Sequence, residues 1–240
     1  MKVALQLYSI RELCEKDFFA ALEDVKKIGY DGVEFAGYFG KTAEELKAKL
    51  DELGLEAAGS HVGFDAIENN LDEVIKYSKT LGLYSVVCPG TSFDSLEKIK
   101  HASEVFNRAG EAFAKEGIVF GYHNHAHEFV QYDGEYGLDI LYKNTNPQYV
   151  TAEIDTYWVK KGGEDPVSYC KKYSDRMYLL HAKDMYEDGK DSNVGEGCID
   201  FASVIKELPL LKWAIVEQEA FEGDMLECVK KGCDNLKKLK

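Results

Sequence analysis

The chain has 240 residues, and 43 Asp and Glu against 29 Lys and Arg leave it a net charge of −14. That field repels polyphosphates and argues against a nucleic-acid partner, and no run of about 18 apolar residues offers a membrane span. The six cysteines (Cys14, Cys88, Cys170, Cys198, Cys228 and Cys233) form no Cys-x-x-Cys, and the N-terminus lacks a secretion signal. They read as reduced thiols in the core of a cytoplasmic enzyme.

Val3–Ser9 alternates and reads as a first strand, followed by a helix over Asp17–Gly29 that stops at a glycine. Gly32–Ala36 is the second strand, and Thr42-Ala-Glu-Glu opens a helix with a capping-box start that runs to Gly54. Glu56–His61 and Ser85–Pro89 are the third and fourth strands, with a helix over Leu71–Gly82 between them and a long helix over Leu96–Gly117 after them. Ile118–Tyr122, Tyr149–Ile154, Met177–Leu180 and Trp213–Val216 complete the strands. Helices over Leu138–Asn144, Pro166–Tyr173, Phe201–Glu207 and Met225–Leu239 follow them in turn.

Eight strand–helix units of about 30 residues each are the size of βα units. Strict alternation implies parallel strands, and eight of them imply a single (β/α)8 TIM barrel, one domain over residues 1–240. An open doubly wound sheet usually carries a glycine-rich phosphate loop after its first strand, and Leu7-Tyr-Ser-Ile-Arg-Glu has no glycine.

Barrel active sites gather where strands end. Three histidines, His123, His125 and His127, and then Glu128 crowd the end of the fifth apolar run. Imidazoles and a carboxylate there suggest a metal or proton-transfer site. Glu34, His61, Glu128, Asp155, His181 and Glu217 are the strand-end polar residues. Glu128, Asp155, His181 and Glu217 come from four successive strands. Three carboxylates and an imidazole suit one divalent ion, Mn²⁺, Co²⁺ or Mg²⁺, with Zn²⁺ as an alternative. Glu153 and Glu219 are rivals on the same faces as Asp155 and Glu217.

The chain resembles the sugar phosphate isomerase/epimerase superfamily, the xylose-isomerase-like TIM barrels that include inosose dehydratases and ketose 3-epimerases. The resemblance runs through Leu5-Gln-Leu-Tyr-Ser-Ile-Arg, Ser60-His61, Tyr122-His-Asn-His-Ala-His-Glu-Phe and Glu153-Ile-Asp-Thr-Tyr-Trp. It continues in His181-Ala-Lys-Asp, Gly195-Glu-Gly-Cys-Ile-Asp and Val216-Glu-Gln-Glu. It implies a divalent metal on Glu128, Asp155, His181 and Glu217, and substrate contacts from His61, His123, His125, Trp158, Lys183 and Glu196.

Such a site makes a C–H beside a carbonyl acidic and stabilises the enediolate. Glu128 and Glu217 are the two expected bases, one on each face of the carbon. Proton return gives epimerisation or aldose–ketose isomerisation of a monosaccharide, keto-sugar or polyol-derived ketone. Loss of a β-hydroxyl gives dehydration of the inosose dehydratase type. A sugar-binding barrel without catalysis is the reading from another class. Zinc-dependent apurinic endonucleases need a basic groove that the −14 charge opposes. An amidohydrolase would carry its His-x-His pair on the first strand, not the fifth. The charged, glycine-bearing segment Asp184–Ile199 is the candidate lid, and a homo-oligomer is left open.

Overall fold

The computed structural model describes residues 1–239. Eight parallel strands close into one barrel: β1 (Lys2–Gln6), β2 (Gly32–Ala36), β3 (Glu56–His61), β4 (Ser85–Cys88), β5 (Val119–His123), β6 (Thr151–Asp155), β7 (Leu179–Ala182) and β8 (Trp213–Val216). Each strand pairs with the next, and β1 closes onto β8 from Lys2 beside Trp213 to Leu5 beside Val216. The expected TIM barrel is the observed one. No helix among the described residues is long and apolar enough to cross a membrane.

The eight expected helices are present, at Phe18–Ile28, Ala43–Leu53, Leu71–Leu81, Leu96–Lys115, Gly137–Lys143, Pro166–Lys172, Phe201–Lys206 and Met225–Lys237. The second begins at the capping box: Glu45 N–H donates to Thr42 Oγ1, and Thr42 N–H donates to Glu45. Apolar faces such as Ile99, Val105, Phe106, Ala109 and Phe113 pack on the outward side chains of the sheet.

Strand alternation decides what faces inward. Ala4, Ala58, Val87, Leu179, Trp213 and Ile215 form a separate apolar cluster that plugs one half of the barrel. The same parity, carried toward the strands' C-terminal ends, delivers Gln6, Glu34, His123, Glu153, Asp155, His181 and Glu217, and a one-residue slip between β2 and β3 turns His61 inward with them. A polar layer therefore sits on an apolar plug, and the site rests on a rigid floor.

Three expectations needed correction. The first strand stops at Gln6, not Ser9, because Gln6 Oε1 accepts the Tyr8 N–H and starts a 3₁₀ turn over Leu7–Ile10. Strands five to seven run one or two residues further than apolarity suggested. The ladder does not depend on side-chain polarity, and Asp155 pairs beside His181 inside the sheet. Short helices at Arg11–Lys16, Phe64–Asn69 and Thr156–Lys161 were not expected.

The candidate lid is tied down. Asp184, fully buried, accepts the N–H groups of Met185, Gly195, Gly197 and Ile199. Asp191 accepts those of Glu219 and Ala220, which latches the segment to the end of β8. A Cβ on Gly197 would overlap Asp184, Ser192 and the Met185 carbonyl. We expect Gly197→Ala to destabilise the fold by about 1–3 kcal/mol, read from urea unfolding.

Candidate active site

At the C-terminal mouth of the barrel lies a cavity of about 400 Å³ lined by Gln6, Tyr8, Ala36, His61, Pro89, His123, His125, Trp158, Glu217 and Glu219. The lining residues His123 and Glu217 meet the fully buried Asp155 and His181 behind the wall, and the donor atoms of all four fall within 4.8 Å of one another. These residues end β5, β6 and β7 or directly follow β8, so the closed barrel itself brings them together.

Two of the four donors are oriented by hydrogen bonds from outside the cluster. Asp155 caps the helix behind it, with Oδ1 accepting the Trp158 N–H at 2.8 Å, while Oδ2 is buried without a hydrogen-bond partner. His181 Nε2 hydrogen-bonds Glu34 Oε2 at 3.0 Å. Its Nδ1 lies 2.8 Å from Glu217 Oε2 and 3.4 Å from Asp155 Oδ2, yet is not aligned for a hydrogen bond. Burial disfavours the charged ring, but Glu153, Glu217 and Asp155 outweigh it and hold His181 well above the usual histidine range, so metal binding there would release a proton. Burial, together with the neighbouring His181, His61 and His125, holds His123 far below that range, so it is a neutral imidazole. Burial raises Glu217, but His181 and Lys183 outweigh that and hold its carboxyl at about 2.

These are features a divalent cation needs: buried carboxylate and imidazole atoms that converge without aligned hydrogen bonds. The set fits a metal. Oxygen and nitrogen donors without a thiolate suit Mn²⁺, Co²⁺, Mg²⁺ or Zn²⁺.

Beneath it, His61 Nε2 lies 3.2 Å from Glu34 Oε2 and 3.1 Å from Glu153 Oε2. Burial disfavours the charged ring, but Glu34 and Glu153 reverse this and push His61 up to about 9. Desolvation, with Glu34 beside it, raises Glu153 to about 7. Glu34 and Glu153 are both fully buried and their Oε1 atoms have no partner.

Asp155, His181 and Glu217 meet as expected. Glu128 does not join them. Its Oε1 accepts the Tyr122 hydroxyl at 2.7 Å and its Oε2 the His125 N–H at 2.9 Å. Tyr122 points outward from β5 and packs against Phe93 and Phe106. The carboxylate is thus drawn into the layer between sheet and helices. Two other groupings converge among the described residues. One joins His61 with His123, Glu153 and His181, where the Nε2 atoms of His61 and His181 already pair with Glu34 and Glu153. The other, Glu128 with His125 and His127, is a poorer cation site because both carboxylate oxygens already hold donors and His127 is half exposed. Glu128→Gln should therefore leave metal affinity within about twofold of wild type. It should cost about 1–3 kcal/mol in unfolding free energy through the Tyr122 and His125 bonds.

Of the expected substrate contacts, His61, His123, His125 and Trp158 line the cavity. His125 Nδ1 and Trp158 Nε1 are buried without partners, and the rings lie 5.3 Å apart. Burial holds His125 down at about 4. Lys183 stands behind the wall, 1% exposed. Its ammonium pairs with Glu219, lies 3.9 Å from Glu217, and sits over the Tyr157 and Trp158 rings at 5.0 and 4.9 Å. Glu196 turns away, bonding Asn193 at 2.8 Å and lying 3.5 Å from Lys231. Its loop is anchored by Asp184 on the outer side of the barrel mouth. The sequence placed Glu34 at a strand end and Glu153 as a rival on the face of Asp155 without revealing that they form a buried pair, and it assigned no site role to the wall residues Gln6 and Tyr8. The available signal was inward strand parity, which groups Gln6, Glu34 and Glu153 with the site.

The chain is 26% identical to an inosose dehydratase of Geobacillus kaustophilus (strain HTA426) over 82% of this chain and 79% of that protein. It superposes on a sugar phosphate isomerase/epimerase from Parabacteroides distasonis ATCC 8503 with a TM-score of 0.84 and 27% identity, covering 98% of this chain and 93% of the other. A D-allulose 3-epimerase from Methylomonas sp., 14% identical, shares the fold with a TM-score of 0.76 over 100% and 98% of the two chains. A family model described as xylose isomerase-like TIM barrel matches residues 22–239. Eight closed parallel strands, a polar cluster at their C-terminal ends and a match over nearly the whole chain lead to one assignment: the chain belongs to the xylose isomerase-like TIM barrel family.

Proposed function

We propose that the protein is a divalent-metal-dependent enzyme that removes a proton beside the carbonyl of a keto-sugar or cyclic polyol ketone and expels a neighbouring hydroxyl. One observation carries this reading: Asp155 Oδ2 and His181 Nδ1, buried and unpartnered, converge with Glu217 at the cavity wall. His123, Asp155, His181 and Glu217 would hold the ion. When bound, it would polarise the substrate's carbonyl and acidify the adjacent C–H.

Glu217 faces the cavity and accepts that proton as a carboxylate. The electron pair of the broken C–H bond becomes a C=C bond as the β C–O bond breaks. His61 faces the same cavity with its Nε2 held between two buried carboxylates, and it gives the departing hydroxide a proton so that water leaves. Trp158 and His125 line the cavity with Nε1 and Nδ1 buried and unpartnered, so a small turn of either ring would present that atom to a substrate hydroxyl, and the indole face suits a sugar ring. A net charge of −14 favours a neutral substrate.

Elimination is preferred because epimerisation by two bases needs a carboxylate on each face of the carbon. The carboxylates lining the cavity, Glu217 and Glu219, both follow β8, and the wall from β3 to β5 carries His61, Pro89, His123 and His125. The similarity to an inosose dehydratase supports the same outcome. Isomerisation or epimerisation is the second reading. It is supported by the 27% identical isomerase/epimerase structure and by imidazoles that could return a proton.

The test is a panel of inososes, ketoses and 3-keto sugars in D₂O with Mn²⁺ or Co²⁺, followed by NMR. Loss of water to an unsaturated ketone, abolished by a chelator, is expected. Deuterium incorporation without water loss would establish the second reading. Tight binding with neither would make the protein a sugar-binding barrel and overturn the proposal.

A further inference from the structure

We infer that Glu34 is a positioning residue that holds His181 in the tautomer whose Nδ1 faces Asp155 and Glu217. The inference rests on the metal-site reading above. An imidazole that ligates a cation keeps one N–H, and the 3.0 Å hydrogen bond to Glu34 Oε2 assigns it to Nε2. That leaves a lone pair on Nδ1, the atom that lies 2.8 Å from Glu217 and 3.4 Å from Asp155 without an aligned hydrogen bond. A charged acceptor on the far side of the ring also makes Nδ1 a stronger donor to a cation.

The backbone is built around this carboxylate. The β2–β3 register slips by one residue between the Val33–Ala57 and Glu34–Gly59 pairs, the kind of irregularity that re-aims a side chain. A Cβ on residue 59 would lie 2.5 Å from Glu34 Oε1 and 2.6 Å from Ser85 Oγ, so glycine there leaves the space Glu34 occupies. Gln6 Nε2 donates to Glu34 Oε2 at 2.8 Å and fixes its rotamer. Glu153, 3.1 Å from His61 Nε2, shares that imidazole and leaves Glu34 available to His181. Two side chains, a register slip and a missing Cβ thus converge on the orientation of one ring.

The first arm of the test uses wild type loaded with Zn²⁺ and labelled with ¹⁵N-histidine. The expected spectrum has the proton of His181 on Nε2 and zinc on Nδ1, and zinc on Nε2 would overturn the inference. The second arm measures Co²⁺ affinity and visible absorption of Glu34→Gln and Gly59→Ala, with circular dichroism of the metal-free proteins as the folding control. Weakening of about 10–100-fold with shifted cobalt bands is expected. Affinity within about twofold and an unchanged spectrum would overturn it, and if the variants fail to fold the wild-type spectrum decides. A wild type that binds neither ion would remove the site itself, a failure distinct from normal binding with an indifferent Glu34.

Discussion

Asp155→Asn should lower metal affinity by well over the roughly 10–100-fold that follows loss of a partner further from the ion, with kcat falling by on the order of 10³. The substitution is close to isosteric. The new side-chain amide oxygen can still accept the Trp158 N–H that Asp155 Oδ1 accepts now, so the helix over Thr156–Lys161 keeps its cap. What disappears is the negative charge on Oδ2, the buried atom with no other partner. Unfolding of the metal-free variant should stay within about 1 kcal/mol of wild type, since relief of a buried, desolvated charge offsets the weaker support left to His181 and Lys183, which keep Glu217 beside them. Equilibrium dialysis against Co²⁺ beside urea unfolding separates the two effects. Normal metal affinity in this variant would show that Asp155 is a helix cap and nothing more.

Lys183→Met is the second large expected effect. The ammonium is 1% exposed, and although burial disfavours its charge, Glu217, Asp155 and Glu219 hold it protonated above the ordinary lysine range. Methionine fills much the same volume against Tyr157 and Trp158 but leaves Glu217 with His181 as its remaining positive neighbour. Breaking a buried pair costs about 3–5 kcal/mol. Glu219 is 36% exposed and can turn to solvent, so about 2–4 kcal/mol is expected in the metal-free protein. Activity should fall on the order of 10²-fold, because a fixed positive charge beside the reacting atoms is lost. Glu219→Gln leaves Lys183 beside Glu217 and should cost less on both counts. If thermal and urea unfolding place the two variants level, the Lys183–Glu217 contact contributes little.

The barrel was legible because its signals are local and repeated. Apolar strand-length runs alternate eight times with amphipathic helices, and Thr42-Ala-Glu-Glu and Gly54 mark helix ends through backbone geometry alone. Asp155, His181 and Glu217 were legible for a related reason: each sits at or next to the end of a strand, where parity dictates that the side chain points inward. Glu128 lies five residues past His123, beyond the reach of that parity, and its direction is set by the outward-facing Tyr122 hydroxyl. Glu196 is likewise placed by a loop whose shape depends on the buried Asp184 carboxylate, a tertiary feature with no local signature. Glu34 stood in view as a lone carboxylate in an apolar strand. Its role depends on the β2–β3 slip and on the space over Gly59, and both belong to the pairing of strands.

The most direct test of the central claim is anomalous diffraction from a crystal soaked in Mn²⁺. The account predicts one strong peak enclosed by His123, Asp155, His181 and Glu217, with Glu34 on the far side of the His181 ring. A peak instead among His125, His127 and Glu128, or no peak at saturating Mn²⁺, would contradict it.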